Sequence, residues 1–455
     1  YFSATNSNNN NTSTTAIMTT DSGGLNVNGV SDAQKTILPA FAFSELKLGR
    51  VIGKGGFSIV HEVKRIQLDD VYDTSEEETN VRKEFSAVVN HSTTTASAST
   101  ASTPNHNNHD PRQQQQRFVM KMLRTDLPPE EHAKGVVDLA IEADFLRELV
   151  HPNIIRMRGT ANCDPHSLKF FVLLDRLVVT LERKMNFWRR EVSENMGIWI
   201  PFCGYWCAKT TVLHRLWMER LMVSRDIAMA VEYLHSQNVV YRDLKPDNVG
   251  FDARGDVKIF DFGLAKRLNA SDRSSVNVDL YNLTGNTGSL RYMAPEVAKC
   301  EPYDQSVDAY SFGILFWQIC ALTTPYLGYS TKMHAERVVR GGHRPKPDSS
   351  WPHTWTNLMK DCWSTDLQKR PNFQHVVHVL DEEVTELLRE EGVLPSNEIK
   401  AKKKKKNQTP DNRLDVDTRL SSVGDNEEQE SNEATAAAAA SAGAGNVRNH
   451  DKSIV

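Results

Sequence analysis

The chain has 455 residues, 39% of them apolar, and a formal net charge of −4. Length alone allows two or three domains, while the near-neutral balance excludes a globally basic binder of nucleic acid or membrane surfaces. Six cysteines are scattered without a CxxC pair, which excludes a zinc ribbon or disulfide framework and fits a reducing, intracellular compartment. No apolar run approaches the roughly 18 residues needed to span a bilayer.

Residues 1–42 are expected to form a disordered tail. Their Asn-, Thr- and Ser-rich stretch carries too few apolar groups to offset the entropy of ordering. Phe43 to Arg65 reads as two strands around a glycine-rich turn, with L-G-R-V-I-G-K-G-G-F-S-I-V-H-E-V at its centre. Gly53, Gly55 and Gly56 let the backbone lie against phosphates without side-chain interference. Taken alone, the motif is equally a plain Gly-rich hairpin. Residues 67–116 are acidic, then Ser/Thr/Ala-rich, then His/Asn/Gln-rich, and are expected to be a disordered insertion. Closing such a loop costs little, because the entropy grows only logarithmically with length. His106 and His109 read as part of this solvated tract rather than as metal ligands. Residues 117–123, R-F-V-M-K-M-L, then read as a strand carrying Lys121 among apolar neighbours.

From Pro129 to Leu149 the pattern turns helical. Glu130 and Glu131 suit the positive amino terminus of a helix opened by two prolines. Val137, Ile141, Phe145 and Leu149 recur at four-residue spacing as an apolar stripe, with Glu142 beside it. Ser167 to Leu177 reads as a buried strand running into a linker. Residues 190–217 hold Trp199, Phe202, Tyr205 and Trp206 and read as a packed flap or a partner-docking patch. Cys203 and Cys207, with His214 nearby, do not amount to a metal site. Glu219 to His235 is an amphipathic helix.

Val239 to Gly263 carries the chemistry: V-V-Y-R-D-L-K-P-D-N-V-G-F-D-A-R-G-D-V-K-I-F-D-F-G. A polar loop with Asp243, Lys245 and Asn248 precedes a hairpin that turns at Arg254-Gly255. A short strand, Val257 to Phe260, then ends in Asp261-Phe262-Gly263. This set suits phosphoryl transfer: a carboxylate for the nucleophile, a carboxylate and an amide for magnesium, and a lysine for phosphate charge. Lys266 to Glu296 forms a long segment ending G-S-L-R-Y-M-A-P-E. Ser306 opens a strongly apolar core helix, with Asp308 placed to cap it. The fold is expected to end near Leu388. Residues 389–455 read as a disordered tail, whose basic run Lys402–Lys406 is a solvated segment or a nuclear-import signal.

These stretches together resemble the eukaryotic protein kinases, over about Phe43 to Leu380. D-A-Y-S-F-G, Y-M-A-P-E-V and the closing D-C-W-S-T-D-L-Q-K-R-P-N-F resemble the tyrosine-kinase-like branch of the Ser/Thr kinases. The resemblance implies a bilobal α+β fold over residues 43–388: a small antiparallel-sheet N-lobe with one key helix (43–176) and a larger, mainly helical C-lobe (177–388). ATP and Mg2+ would sit between the lobes. Ile52, Gly53, Lys54, Gly55, Gly56, Phe57, Ser58 and Val60 would cover the nucleotide. Val119 would also contact it, backbone groups of Asp175 to Leu177 would pair with the adenine edge, and Leu174 would guard the adenine pocket. Lys121 would hold the α- and β-phosphates and pair with Glu142. Asp243, Lys245 and Asn248 would be catalytic, and Asn248 and Asp261 would hold the metal. Three positions depart from the family pattern: Ser58 replaces the third glycine, Tyr241 a common His, and Gly250 a bulky residue of the adenine floor. By the same resemblance Ser289 faces the substrate, Asp308 anchors the catalytic loop and Arg370 pairs with Glu296. Arg242 would engage a phosphate placed on Thr284 or Thr287 by an upstream kinase. The expected activity is transfer of the γ-phosphate of ATP to protein Ser or Thr, with Lys245 favouring Ser/Thr over Tyr. The setting would be intracellular and cytoplasmic, or nuclear through Lys402–Lys406, with no nucleic-acid partner. The alternatives are a catalytically silent kinase-fold scaffold and a dual-specificity kinase. The retention of Lys121, Asp243, Asn248 and Asp261 speaks against the scaffold.

Overall fold

The computed structural model describes residues 37–69, 75–98, 118–196 and 205–390. From Leu38 onward these form one unit. The 1–36 stretch, His106, His109, Trp199, Phe202, Cys203 and Lys402–Lys406 lie outside the described residues.

The N-lobe begins with β1 (Ala40–Phe41), β2 (Leu46–Lys54) and β3 (Ser58–Ile66), then helix α1 (Glu76–Ala98). It continues through β4 (Phe118–Leu123), helix α2 (Pro129–Glu148), β5 (Met157–Ala161) and β6 (Phe171–Asp175). One six-stranded sheet results, in the order β1-β5-β6-β4-β3-β2. Every pairing is antiparallel except β1 with β5. The sheet therefore starts at Ala40, ahead of the expected boundary at residue 43. β4 lies inside the sheet, and Phe118, Val119, Met120 and Lys121 along it are all buried. Its register sets Lys121 opposite Val60 on one side and Val172 on the other.

Helix α1 corrects the expectation that residues 67–116 are disordered throughout. Ser75 Oγ accepts from the Glu78 N–H at 3.2 Å, and Glu76, Glu77 and Glu78 fill the first turn, where negative charge is favoured. Its inner face is Arg82, Ser86 and Val89, a helical spacing hidden because two of the three are polar. Arg82 reaches the buried Glu45 carboxylate at 2.5 Å. The Asn90 amide accepts from the Ile66 N–H at 3.0 Å and donates to the Ile66 carbonyl at 2.9 Å, completing the end of β3. The Phe85 ring lies 4.9 Å from Phe118 and 5.9 Å from Phe41.

Helix α2 forms where expected, and the stripe read from the sequence is part of a wider buried face: Phe145 and Leu149 are buried and Ile141 packs on the core. Val137 is 47% exposed, while Val136, Leu139, Ala143 and Leu146 are buried alongside Phe145. The helix packs on both the sheet and the lower lobe, so its apolar contact is wider than a single four-residue row. Glu142 lies on the buried face itself.

The C-lobe runs through β7 (Val179–Thr180), α3 (Leu181–Met196), α4 (Tyr205–Ser236), β8 (Val239–Val240), β9 (Val249–Phe251), β10 (Val257–Ile259) and β11 (Lys266–Arg267). Then follow α5 (Pro295–Ala298), α6 (Ser306–Ala321), α7 (Thr331–His334), α8 (His353–Cys362) and α9 (Phe373–Glu390). Of the segment 190–217, the described residues belong to α3, up to Met196, and to α4, from Tyr205. Lys184 Nζ to Glu219 at 2.6 Å, Trp188 Nε1 to Glu219 at 3.0 Å and Arg215 to Glu191 at 3.3 Å join the two helices. α6 is buried almost along its whole length, as an apolar helix at the centre of the lobe must be.

Candidate active site

Between the lobes lies a cavity of about 550 Å³. Gly53 to Ser58 and Val60 line it from the sheet side, with Lys121 and Glu142 behind. Asp243, Lys245, Asn248 and Asp261 line the opposite side. Ile52, Val119, Asp175 and Leu177 are outside that lining. The Val119 and Leu177 side chains are buried, and the Asp175 carboxylate is taken by Arg158 at 2.7 and 2.8 Å. The role expected of Asp175 to Leu177 is a backbone one, on which these side-chain contacts do not bear.

A Cβ at Gly250 would lie 2.8 Å from Leu177 Cδ1 and 3.3 Å from Phe260 Cε1. The linker leucine and the residue before Asp261 thus fill the volume that a bulky side chain at position 250 would take. The departure from the family pattern is compensated by packing from two other positions.

Lys121 Nζ stands 2.6 Å from Glu142 Oε2 and 3.2 Å from Asp261 Oδ1. Burial alone would pull the Lys121 pKa down, but Asp261 and Glu142 overrule it and hold the ammonium well above its usual range. Lys121 in turn holds Asp261 below the carboxylate range, whereas burial pushes Glu142 up. The Asp261 side chain is 48% exposed, the most open of the three, and all three line the cavity. It sits at φ 69°, a left-handed conformation that costs roughly 1–3 kcal/mol and has to be held by its surroundings.

Asp243 is the hub of the lower loop. Its Oδ2 accepts from Lys245 Nζ at 2.6 Å and Asn248 Nδ2 at 2.8 Å, and its Oδ1 accepts from Ser289 Oγ at 2.9 Å. Burial raises its pKa, and Lys245 partly offsets this. Because Asn248 donates through its amide nitrogen, its side-chain oxygen is left to face other groups. Asn248 and Asp261 are hard oxygen donors from adjacent loops, a fit for magnesium, which takes few protein ligands and completes its shell with water and phosphate oxygens.

The loop is held from below by Asp308, which is fully buried. Its Oδ2 accepts from the Tyr241 N–H and its Oδ1 from the Arg242 N–H, both at 2.8 Å. Asp308 therefore serves the catalytic loop, and the amino terminus of α6 has no side-chain cap from Gln305. The Tyr241 ring packs 5.3 Å from Phe262, and its hydroxyl donates to the Phe260 carbonyl at 2.5 Å. Arg370 meets Glu296 in a buried two-pronged pair at 2.5 and 2.9 Å. Arg242 is already occupied by neutral groups: the Leu264 carbonyl at 2.7 Å and the Tyr303 hydroxyl at 3.1 Å. That hydroxyl donates to the Thr284 carbonyl at 2.8 Å, so the 266–296 segment is tied to Arg242 through Tyr303.

Asp138, Glu182 and Arg183 also line the cleft and were not singled out from the sequence. Asp138 lies one turn before Glu142 on α2, which was the signal available for it.

The family model for protein tyrosine and serine/threonine kinases matches residues 98–380. The chain belongs to the protein kinase family. Among its relatives, this kinase is 30% identical over 287 residues to the serine/threonine/tyrosine-protein kinase HT1 of Arabidopsis thaliana, a match covering 63% of this chain and 65% of that one. It is 34% identical over 167 residues to the serine/threonine-protein kinase STY17 of the same plant, covering 37% and 28%. With the probable serine/threonine-protein kinase drkD of Dictyostelium discoideum it shares 30% identity over 274 residues, 60% of this chain but 18% of that one. The kinase thus spans less than two thirds of these relatives' own length. No helix among its described residues is long and apolar enough to cross a membrane.

Proposed function

We propose that this kinase transfers the γ-phosphate of ATP, with magnesium, to serine or threonine hydroxyls of proteins. The observation that carries the reading is the Ser289 hydroxyl, hydrogen-bonded at 2.9 Å to the Oδ1 of a buried Asp243. A protein hydroxyl placed there would meet an acceptor whose pKa burial has raised, as base assistance prefers. Lys245, 2.6 Å from the same carboxylate, supplies positive charge for the transferring group. Lys121 would orient the α- and β-phosphates and Glu142 would hold it in place. Gly53 to Ser58 would cover the phosphates with backbone N–H groups. Asn248 and Asp261 would hold the metal, which when bound supplies charge neutralisation at the phosphates.

The test is transfer of labelled γ-phosphate to a generic basic protein, comparing the native chain with Asp261→Asn. Label on Ser or Thr that disappears in the variant supports the reading, and equal transfer by both removes it. HT1 carries tyrosine in its name as well as serine and threonine, so dual specificity is the second reading. Phosphotyrosine in the product would establish it. The silent-scaffold alternative is disfavoured by the intact Lys121–Glu142–Asp261 and Asp243–Lys245–Asn248 sets. Phosphate on Thr284 or Thr287 is proposed to act by drawing Arg242 from Tyr303, and alanine at both threonines should then lower activity. An intracellular site accords with the need for ATP and with the four free cysteines among the described residues.

A further inference from the structure

The glycine-rich turn between β2 and β3 is tied down at every residue from Lys54 to Phe57, all by one neighbouring stretch. Arg124, just past the end of β4, donates from Nη1 to the Gly55 carbonyl at 3.1 Å and the Gly56 carbonyl at 2.8 Å. Its own backbone N–H donates to the Phe57 carbonyl at 2.9 Å. Asp126 grips the Arg124 guanidinium at 2.9 and 3.1 Å and also accepts from Lys54 Nζ at 2.9 Å. Arg124 and Lys54 together hold the Asp126 carboxyl far below its usual range.

The tip is seated as well. Phe57 packs on a small apolar cluster of Leu123, Leu127 and Val136, separate from the main core. Lys134 Nζ lies 5.2 Å from the centre of its ring. The seat exists because residue 135 of α2 is glycine. A Cβ there would lie 2.9 Å from Phe57 Cβ and 2.4 Å from Leu123 Cδ1. The leucine methyl is the far end of a flexible side chain and can swing away. The Phe57 Cβ is fixed to the backbone and can move only with the turn. Gly135 is interior to α2, where glycine is unfavourable by roughly 1 kcal/mol relative to alanine, so its presence asks for a packing reason.

We propose that Arg124 and Gly135 are positioning residues that latch the glycine-rich turn to α2, so that the turn and the helix bearing Glu142 move as one piece. The inference rests on the reading of this turn as the cover of the nucleotide. α2 is then held at two places, by Phe57 near its start and by Lys121 at Glu142. The electrostatic part of the latch is exposed and screened, with Lys54 and Asp126 side chains 50% and 55% open. The carbonyl bonds and the apolar seat carry most of it.

The test uses Arg124→Gln, Gly135→Ala, Phe57→Gly, Phe57→Leu and the double variant Gly135→Ala/Phe57→Gly, in the full chain, with thermal melts to confirm folding. Hydrogen exchange at the amides of residues 53–58, without nucleotide, should quicken about tenfold in Arg124→Gln and Gly135→Ala. In steady-state kinetics the KM for ATP should rise about tenfold with kcat changed less than about threefold, as expected for lost positioning of the bound nucleotide. Phe57→Leu, which keeps an apolar body in the seat, should quicken exchange at residues 53–58 less than Phe57→Gly does. The double variant should match Phe57→Gly alone, because glycine at position 57 has no Cβ for the added methyl at position 135 to strike. Unchanged exchange at residues 53–58, or Gly135→Ala and Phe57→Gly effects that simply add, would overturn the latch. Native protein with no phosphotransfer would overturn the kinase reading instead, and the exchange data would still decide the latch.

Discussion

Replacing Asp308 by asparagine should unfasten the catalytic loop while hardly changing side-chain volume. Asp308 is fully buried and carries three partners: the Tyr241 and Arg242 N–H groups at 2.8 Å each and His235 Nε2 at 2.9 Å. A carboxylate accepts from all three. An asparagine keeps one oxygen, and its amide group must face at least one donor with another donor. Hydrogen bonds to a charged group contribute about 1.5–3 kcal/mol, and a buried donor left unmatched costs about 1–3 kcal/mol. The loss should come to about 3–5 kcal/mol, the range for breaking a buried charged contact. For larger domains each kcal/mol moves Tm by about 2–4 °C, so a drop on the order of 10 °C is expected. Arg242 adds to the functional effect. It sits at φ 68°, directly before Asp243, and its N–H is one of the bonds lost. Relaxing that strained backbone displaces Asp243, and a misplacement of about 1 Å at the reacting groups costs on the order of 100-fold. Thermal melts and steady-state kinetics on Asp308→Asn would read both effects, with kcat falling far more than the KM for ATP rises. A variant with Tm within about 2 °C of the native protein and unchanged kcat would refute the argument that this carboxylate holds the loop.

Other perturbations follow from the same geometry. Burial raises the Asp243 pKa and Lys245 lowers it, so the acid limb of kcat/KM should lie above the ordinary carboxylate range, and Lys245→Ala should move it to still higher pH. An acid limb that stays in place in that variant would separate Lys245 from Asp243. Lys121→Met should cost about 3–5 kcal/mol in denaturant unfolding at pH 7, because Glu142 is left buried and unpaired, and adding Glu142→Gln should recover part of that loss. No recovery in the double variant would count against the pair. Gly250→Val should cost about 1–3 kcal/mol through overpacking against Leu177 and Phe260, and Leu177→Ala in the same chain should relieve it, read again by denaturant melts.

The residues proposed to act on phosphate, metal and hydroxyl could be named from the sequence because such chemistry requires fixed spacing within short stretches, and the structure brings them to one cleft. Asp243, Lys245 and Asn248 share one loop, and Asp261 follows a hairpin whose turn at Gly255, φ 90°, is where the sequence put it. What was not legible depends on distant contacts. The phase of the α2 face is set by two neighbours rather than one, so a single apolar row misplaced Val137. Helix α1 was hidden because it buries an ion pair and a serine where a pattern search expects apolar residues. The hold of Tyr303 on Arg242 carries no local signal, because the two lie 61 residues apart. The packing of the Leu177 side chain over Gly250 depends on a contact between linker and hairpin that no local pattern carries.

The insertion between β3 and β4 leaves Lys121 in place for a topological reason. The two strands pair from Ser58 opposite Leu123 to Glu62 opposite Val119, which sets Val60 against Lys121. The inserted residues leave from Ile66 and return at Phe118, at the end of the ladder away from the glycine-rich turn. Their length therefore does not bear on the register that positions the lysine. What they could disturb is the free end of β3, and α1 covers that end, with Asn90 bonding both backbone groups of Ile66. The opposite end of β3 is fixed by the Gly55 N–H donating to the Ser58 carbonyl at 2.8 Å and by Arg124. β3 is thus clamped at both ends by residues outside the sheet, and the strand that carries the glycine-rich turn becomes a rigid support for it.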